Sequence, residues 1–206
     1  MIPIAREVRF VLLLLGFVVA IAQYLWGLPA MWPAWLVFLV LLFVFRDFKR
    51  TIPAIPLAVV SPVDGQVYDV RDTVHDPYLE RAAQVICLHQ SAFGEFNVHS
   101  PIEGKVQNLW VDSSKVHASS ELALWVQTDE QDDVVMVANL DSMLRHASCH
   151  ISAGEKLGQG QRCGFMGMAC KVMVYLPPTA NVTVRAGQRL RAGSDKLAEF
   201  VHAAGS

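Results

Sequence analysis

The sequence predicts a mainly β, barrel-sandwich-like body behind an N-terminal α-helical membrane hairpin. Three observations predict it. No charged residue occurs between Phe10 and Phe45. Beyond Arg50 the chain breaks into short β-branched runs punctuated by Gly, Pro and Asp. The 206 residues are 53% hydrophobic and only 17% charged, with a mean hydropathy of +0.34. That is greasier than an ordinary soluble domain and excludes disorder.

The head comes first. The uncharged stretch is interrupted once, at Gly27-Leu28-Pro29-Ala30, which leaves apolar pieces at 10–26 and 31–45. At about 1.5 Å per residue each is roughly 22–26 Å long, close to the about 30 Å of a hydrocarbon core. They form either a spanning hairpin or a dip into one leaflet. Trp26, Trp32 and Trp35 cluster at the break, as interfacial aromatics do. Arg6 and Arg9 precede the first piece, and Arg46, Lys49 and Arg50 follow the second. Basic flanks at both outer ends place them, and the body, on the cytoplasmic side of the cell membrane. A signal peptide fits less well, because a second apolar piece follows at once with no small-residue cleavage site.

The predicted boundary falls at residue 50, with the anchor at 1–50 and the β-rich domain at 51–206. Pro53 and Pro56 mark the linker. Strands are predicted at 58–61, 66–70, 84–88, 104–111, 122–127, 134–138, 171–176 and 181–184, with a short helix or turn at 141–150. The anchor carries a net charge of +3 and the body −5, so no basic face for nucleic acid is expected. Cys87, Cys149, Cys163 and Cys170 show neither a C-x-x-C pair nor zinc spacing. They read as thiols in a reducing compartment, and no metal is expected.

Two phrases are related. Ser61-Pro62-Val63-Asp64-Gly65 is echoed by Ser100-Pro101-Ile102-Glu103-Gly104, and Gly187-Gln188-Arg189-Leu190 follows later. The phrasing resembles lipoyl- and biotinyl-type barrel-sandwich domains. It is also simply good turn chemistry, and no lysine occupies a carrier's hairpin position. For chemistry, His99 ends a strand at a turn, Asp64 lies in the matching turn, and Cys170 precedes the run 171–176. Base, orienter and nucleophile is one reading of the three. A turn aspartate, a strand-end histidine and a small buried cysteine is the other.

A wider resemblance bears on that choice. Phe45-Arg46-Asp47-Phe48-Lys49-Arg50 followed by Pro53, then Ser61–Gly65, Phe96-Asn97-Val98-His99-Ser100-Pro101, and the ungapped stretch 160–177 resemble, in order and spacing, the short membrane-anchored phosphatidylserine decarboxylases of bacteria and archaea. The resemblance runs from the anchor to about Leu197. It implies a proenzyme that cuts itself into β and α chains and leaves a pyruvoyl group at the new α-chain terminus. That carbonyl takes up the amine of phosphatidylserine and accepts the electrons released as CO₂ departs, giving phosphatidylethanolamine. Carried over residue by residue, Cys170 is the pyruvoyl precursor, the bond Ala169–Cys170 is the cleavage site, His99 is the base and Asp64 orients it. Lys171, Arg46, Lys49 and Arg50 would meet the headgroup, although the last three serve topology equally well and Lys171 reads equally as a solvated strand end. The implied partners are the membrane and its phospholipid, with room for a homodimer.

The chain departs from the family pattern twice. Ala169-Cys170 replaces Gly-Ser; a thiolate is a competent nucleophile, but Ala169 adds a Cβ at the junction. Phe96 stands where the family has a first histidine. Two readings follow: a pyruvoyl-dependent decarboxylase with a cysteine precursor, or a non-catalytic relative that binds lipid or regulates at the membrane.

Overall fold

The computed structural model describes residues 6–44, 55–91, 94–112, 121–139, 148–149, 151–166 and 170–201. The chain divides into two compact units, residues 1–49 and 50–206.

The first unit is a pair of helices, α1 (Arg6–Trp26) and α2 (Leu28–Val44). The predicted break at 27–30 contracts to Gly27 alone, which takes a φ of 81° that suits glycine. Its N–H closes the last turn of α1 on the Gln23 carbonyl, 2.8 Å away. Pro29 falls in the first turn of α2, where a missing N–H loses no bond, so the proline does not delay the second helix. The helices run antiparallel. Gly16 lies against the Phe38 ring, and the Trp35 indole N–H donates to Gln23 Oε1 at 2.6 Å. Leu12 and Val19 are buried, whereas Phe10, Leu13, Phe17, Trp26, Leu39 and Phe43 are exposed. A surface so apolar marks an interaction face. Residues 9–26 of α1 are long and apolar enough to cross a membrane by length and composition; the apolar stretch of α2, 32–43, is shorter.

The second unit is β throughout. Its strands are β1 (Ala58–Val60), β2 (Gly65–Asp76), β3 (Arg81–Gln90), β4 (Asn97–His99), β5 (Gly104–Asp112), β6 (Glu121–Gln127), β7 (Asp133–Asn139), β8 (Ser148–Cys149), β9 (Lys156–Leu157), β10 (Arg162–Phe165), β11 (Lys171–Leu176), β12 (Asn181–Val182), β13 (Arg189–Leu190) and β14 (Lys196–Glu199). An eight-stranded sheet in the order β13-β2-β3-β11-β7-β6-β5-β9 curls as a half-barrel. Two three-stranded sheets, β1-β14-β12 and β4-β10-β8, complete the body. Each of the eight predicted runs contains a strand, although residue 61 and residues 183–184 fall outside one, and 171–176 has the predicted bounds. Ser148–Cys149, inside the predicted helix or turn, is instead a strand paired with β10; most of that prediction lies outside the described residues.

Alternation builds the core. Val172, Val174 and Leu176 of β11 point inward to Ile86, Leu88, Val106, Leu124 and Met136. Met173 and Tyr175 point the other way, into a second cluster with Tyr78, Trp110 and Trp125. β11 is paired along its length with β3 on one side and β7 on the other.

The repeated phrases form a quasi-twofold motif. Ser61 Oγ donates to the Val63 carbonyl at 2.8 Å, and Ser100 Oγ donates to the Ile102 carbonyl at 2.7 Å. The Val60 N–H reaches the Pro101 carbonyl at 2.8 Å, and the His99 N–H reaches the Pro62 carbonyl at 2.9 Å, so each turn caps the strand before the other. A downstream strap closes each copy. Gly187 and Gly193 donate to Val67 and Ser61 carbonyls, both at 2.7 Å, while Gly154 and Gly160 donate to Val106 and Ser100 at 2.7 and 2.9 Å. The signal for this duplication was on the sequence as two S-P-x-[DE]-G turns.

Candidate active site

The two turns bring Asp64 and His99 to one region, and the sheet brings Cys170 to the same end. Asp64 precedes β2, whose first residue Gly65 pairs with Gln90 at the end of β3. The N–H of Gln90 in turn donates to the Cys170 carbonyl at 2.9 Å.

Asp64 is only 7% exposed. Its Oδ2 accepts the N–H of Glu95 at 2.8 Å, and its Oδ1 accepts the N–H of Ala192 at 2.7 Å. The carboxylate therefore ties the segment entering β4 to the strap leaving β13. Ser91 N–H donates to its carbonyl at 2.8 Å. Such charge-assisted bonds are stronger than neutral ones, which explains why an acid is tolerated here.

Glu95, Asn97 and His99 share one face by their spacing of two residues. All three are buried, with Glu95 3% exposed. Asn97 Nδ2 donates to Glu95 Oε1 at 2.6 Å, and His99 Nε2 lies 3.2 Å from the same oxygen. His99 Nδ1 meets the Gly160 carbonyl at 2.7 Å. Phe96 and Val98 occupy the alternate face, and Phe96 packs edge-on to Phe165 with ring centroids 6.2 Å apart. The position where the family pattern has a first histidine is thus filled with hydrocarbon.

Cys170 begins the run into the central strand and is 5% exposed. Its N–H donates to Gln90 Oε1 at 3.4 Å, while Gln90 Nε2 donates to the Met166 carbonyl at 3.5 Å. Gln90 thus holds both flanks of segment 167–169. Burial removes the thiol from water and pushes its pKa up to about 11. Relative to an ordinary thiol at 9.0, this lowers the thiolate population about a hundredfold at neutral pH. A thiol so placed would need a base before it could act as a nucleophile.

Lys171 is exposed at the head of β11, in register with His89 and Asn139. Ala169, Arg46, Lys49 and Arg50 lie outside the described residues. Glu95 and Gln90 were not anticipated. The alternation Glu95-Phe96-Asn97-Val98-His99 was the available signal for Glu95, since a polar residue at every second position marks one face of a strand. For Gln90 no sequence signal stands out. Cys87, Cys163 and Cys170 are free thiols, as expected, and all three are buried. A cleft of about 330 Å³ lined by Leu57, Ile102, Glu103, Asp129 and Phe200 touches none of Asp64, Glu95, His99 or Cys170.

Comparison with known proteins identifies the family. A family profile described as phosphatidylserine decarboxylase matches residues 38–198. A relative from Nitrosomonas eutropha named phosphatidylserine decarboxylase proenzyme is 38% identical over 199 residues, 90% of each chain. One of the same name from Nitrosomonas europaea is 37% identical over 188 residues, covering 87% of this chain and 85% of its own. A third, from Burkholderia pseudomallei, is 33% identical over 206 residues, 96% of this chain and 95% of its own. No solved structure matches. Buried Asp64, His99 and Cys170 lie within the matched span, and the similarity extends over nearly the whole chain: it belongs to the phosphatidylserine decarboxylase family.

Proposed function

We propose that the chain is a proenzyme that cuts itself between Ala169 and Cys170 and then decarboxylates phosphatidylserine to phosphatidylethanolamine. The observation that carries this reading is the seat of Cys170. Within a family whose relatives are named proenzymes, a thiol stands buried at the head of the central strand, its backbone held by Gln90.

The chemistry of this seat fits a pyruvoyl precursor. Cys170 offers a sulfur nucleophile and a Cβ–Sγ bond that can break, and its carbonyl stays fixed to Gln90. In self-cleavage, Sγ attacks the Ala169 carbonyl carbon, and the C–N bond breaks as nitrogen takes a proton. Loss of the Cys170 Cα proton then expels a thiocarboxylate from Cβ. Hydrolysis with loss of ammonia leaves the pyruvoyl group. His99 is the base for the thiol proton. Asp64 orients it by fixing the N–H of Glu95, four residues upstream. When formed, the pyruvoyl carbonyl takes up the substrate amine and serves as the electron sink for loss of CO₂.

The membrane supplies the substrate. α1 and α2 anchor the chain in the cell membrane with the body on the cytoplasmic side, so the phospholipid need not leave the bilayer. Lys171, Arg46, Lys49 and Arg50 offset the repulsion between an acidic body and an anionic surface. The test is intact mass and a denaturing gel of the purified full chain, followed by CO₂ release from vesicles of carboxyl-labelled phosphatidylserine. Fragments of 1–169 and 170–206 with CO₂ release are expected. An uncut chain that binds the vesicles without releasing CO₂ would instead identify a non-catalytic relative.

A further inference from the structure

The contacts of His99 constrain where its protons can be. Nδ1 faces the Gly160 carbonyl at 2.7 Å, and a carbonyl only accepts, so Nδ1 carries a hydrogen. In a neutral ring Nε2 would then present a lone pair. Yet Nε2 lies 3.2 Å from Glu95 Oε1, which is also an acceptor. Two lone pairs at that distance repel unless a proton sits between them. Glu95 Oε1 also accepts the Asn97 amide N–H at 2.6 Å, and two donors on one oxygen suit an ionised carboxylate. A proton on Nε2 facing an ionised Glu95 satisfies all three contacts at once.

We propose that Glu95 is the positioning residue that sets the protonation state of His99, holding it at rest as a buried imidazolium–carboxylate pair. Asp64, with both carboxylate oxygens on backbone N–H groups, sets the geometry of the segment, while Glu95 sets its proton. Glu95 Oε1 lies against the ring, and Arg162 is the register partner of His99 on β10. From the strap side, Gly193 contributes no titratable group, and Asp64 lies beyond it, bonded to Ala192. Nearby opposite charge favours the charged form, so an ionised Glu95 at this distance favours the imidazolium.

The consequence for processing rests on the self-cleavage reading. His99 can take the Cys170 proton only after its own Nε2 proton has left. Processing should then switch on as pH rises through the titration of the pair, and loss of Glu95 should move that switch to lower pH.

The experiment separates the two ideas. Full-length Cys170→Ala, which cannot cut itself, is labelled with ¹⁵N-histidine in detergent, and the His99 ring is assigned by loss of its signals in His99→Gln. Both ring nitrogens should be protonated at neutral pH. The titration should fall by about one pH unit or more in Glu95→Gln, which preserves shape without charge. Glu95→Asp should restore part of it, and Asp64→Asn, whose charge lies farther from the ring, should move it less than Glu95→Gln does. In parallel, the processing midpoint of chains retaining Cys170 should move down with Glu95→Gln. A lone-pair signal at Nε2 at neutral pH, or equal shifts from Asp64→Asn and Glu95→Gln, overturns the proposal. A wild-type chain that stays whole while His99 titrates as described would refute self-cleavage and support the pair.

Discussion

Replacing Gly193 with alanine tests whether the strap positions His99 or merely closes the fold. Gly193 has a φ of +66°, and a Cβ there would lie 3.2 Å from His99 Nδ1 and 3.4 Å from the Gly160 carbonyl oxygen. Those are the two atoms joined by the 2.7 Å bond that holds the ring. Gly187, in the same strap, supplies the control: its φ is +90°, but a Cβ would meet nothing within 4 Å. Both substitutions force an L side chain into the left-handed region, at about 1–2 kcal/mol each. Gly193→Ala also lengthens the His99–Gly160 bond and loses about 0.5–1.5 kcal/mol more. At about 2–4 °C per kcal/mol for a chain of this size, both variants should melt several degrees early, Gly193→Ala slightly more so. The decisive reading is kinetic. A base moved by a few tenths of an ångström forfeits part of the roughly 10²–10⁴-fold that general-base catalysis supplies. The rate of chain cleavage, followed on gels after synthesis, should therefore drop in Gly193→Ala and hold in Gly187→Ala. Equal cleavage rates in the two would refute the positioning argument.

Cys170→Ala should leave the chain whole, and Cys170→Ser should still cut; in the cysteine protein, the upstream fragment should be caught by mass spectrometry with one sulfur in place of oxygen at its C-terminus before it hydrolyses. Because burial raises the Cys170 pKa to about 11, the folded state holds its proton more tightly than the unfolded one, so this group's contribution is full below about 9 and is lost as pH rises toward 11; Cys170→Ala should flatten that part of the stability–pH curve measured by denaturant unfolding. Asp64→Asn presents one of two backbone N–H groups with an amide N–H₂ donor instead of an acceptor, and should destabilise by about 1–3 kcal/mol in the same assay. Deleting residues 1–50 should release a body that washes from membranes in salt, whereas the full chain should require detergent; retention of the truncated body would count against the anchor.

Much of the body was legible because its long strands alternate. Val172, Val174 and Leu176 announce a buried face, and Lys171, Met173 and Tyr175 the other, so β11 could be placed to the residue. β2 was underestimated because Asp69, Arg71, Asp72 and His75 make its outer half polar; it survives there as an exposed arm paired with β3. Strands such as β8, β9 and β13 are two residues long, too short for any period to register. The anchor's two pieces were plain from charge alone, but their separation was overestimated, because a proline after glycine reads as a longer break than a first-turn proline makes. At the candidate site, the turns and the order of Asp64, His99 and Cys170 drew attention to them in the sequence. What was illegible was partnership. Glu95 meets His99 only because β4 is buried on both faces, and Gln90 meets Cys170 only through the ends of neighbouring strands.

The quasi-twofold turns have a further bearing on what a cut chain would be. The strap at 154–160 lies upstream of the bond between Ala169 and Cys170, and the strap at 187–193 lies downstream. Cleavage there would place the two halves of the motif on different polypeptides. The short piece would also own β11, paired on both edges with strands of the long piece, and β14, paired with β1. Its Gly193 and Phe200 N–H groups would remain bonded to Ser61 and Leu57 of the other piece. The products would be interlocked subunits of an obligate heterodimer, born with an interface as continuous as a protein interior. Such a pair has no reason to separate after the peptide bond is gone, and neither piece offers a complete fold to separate into.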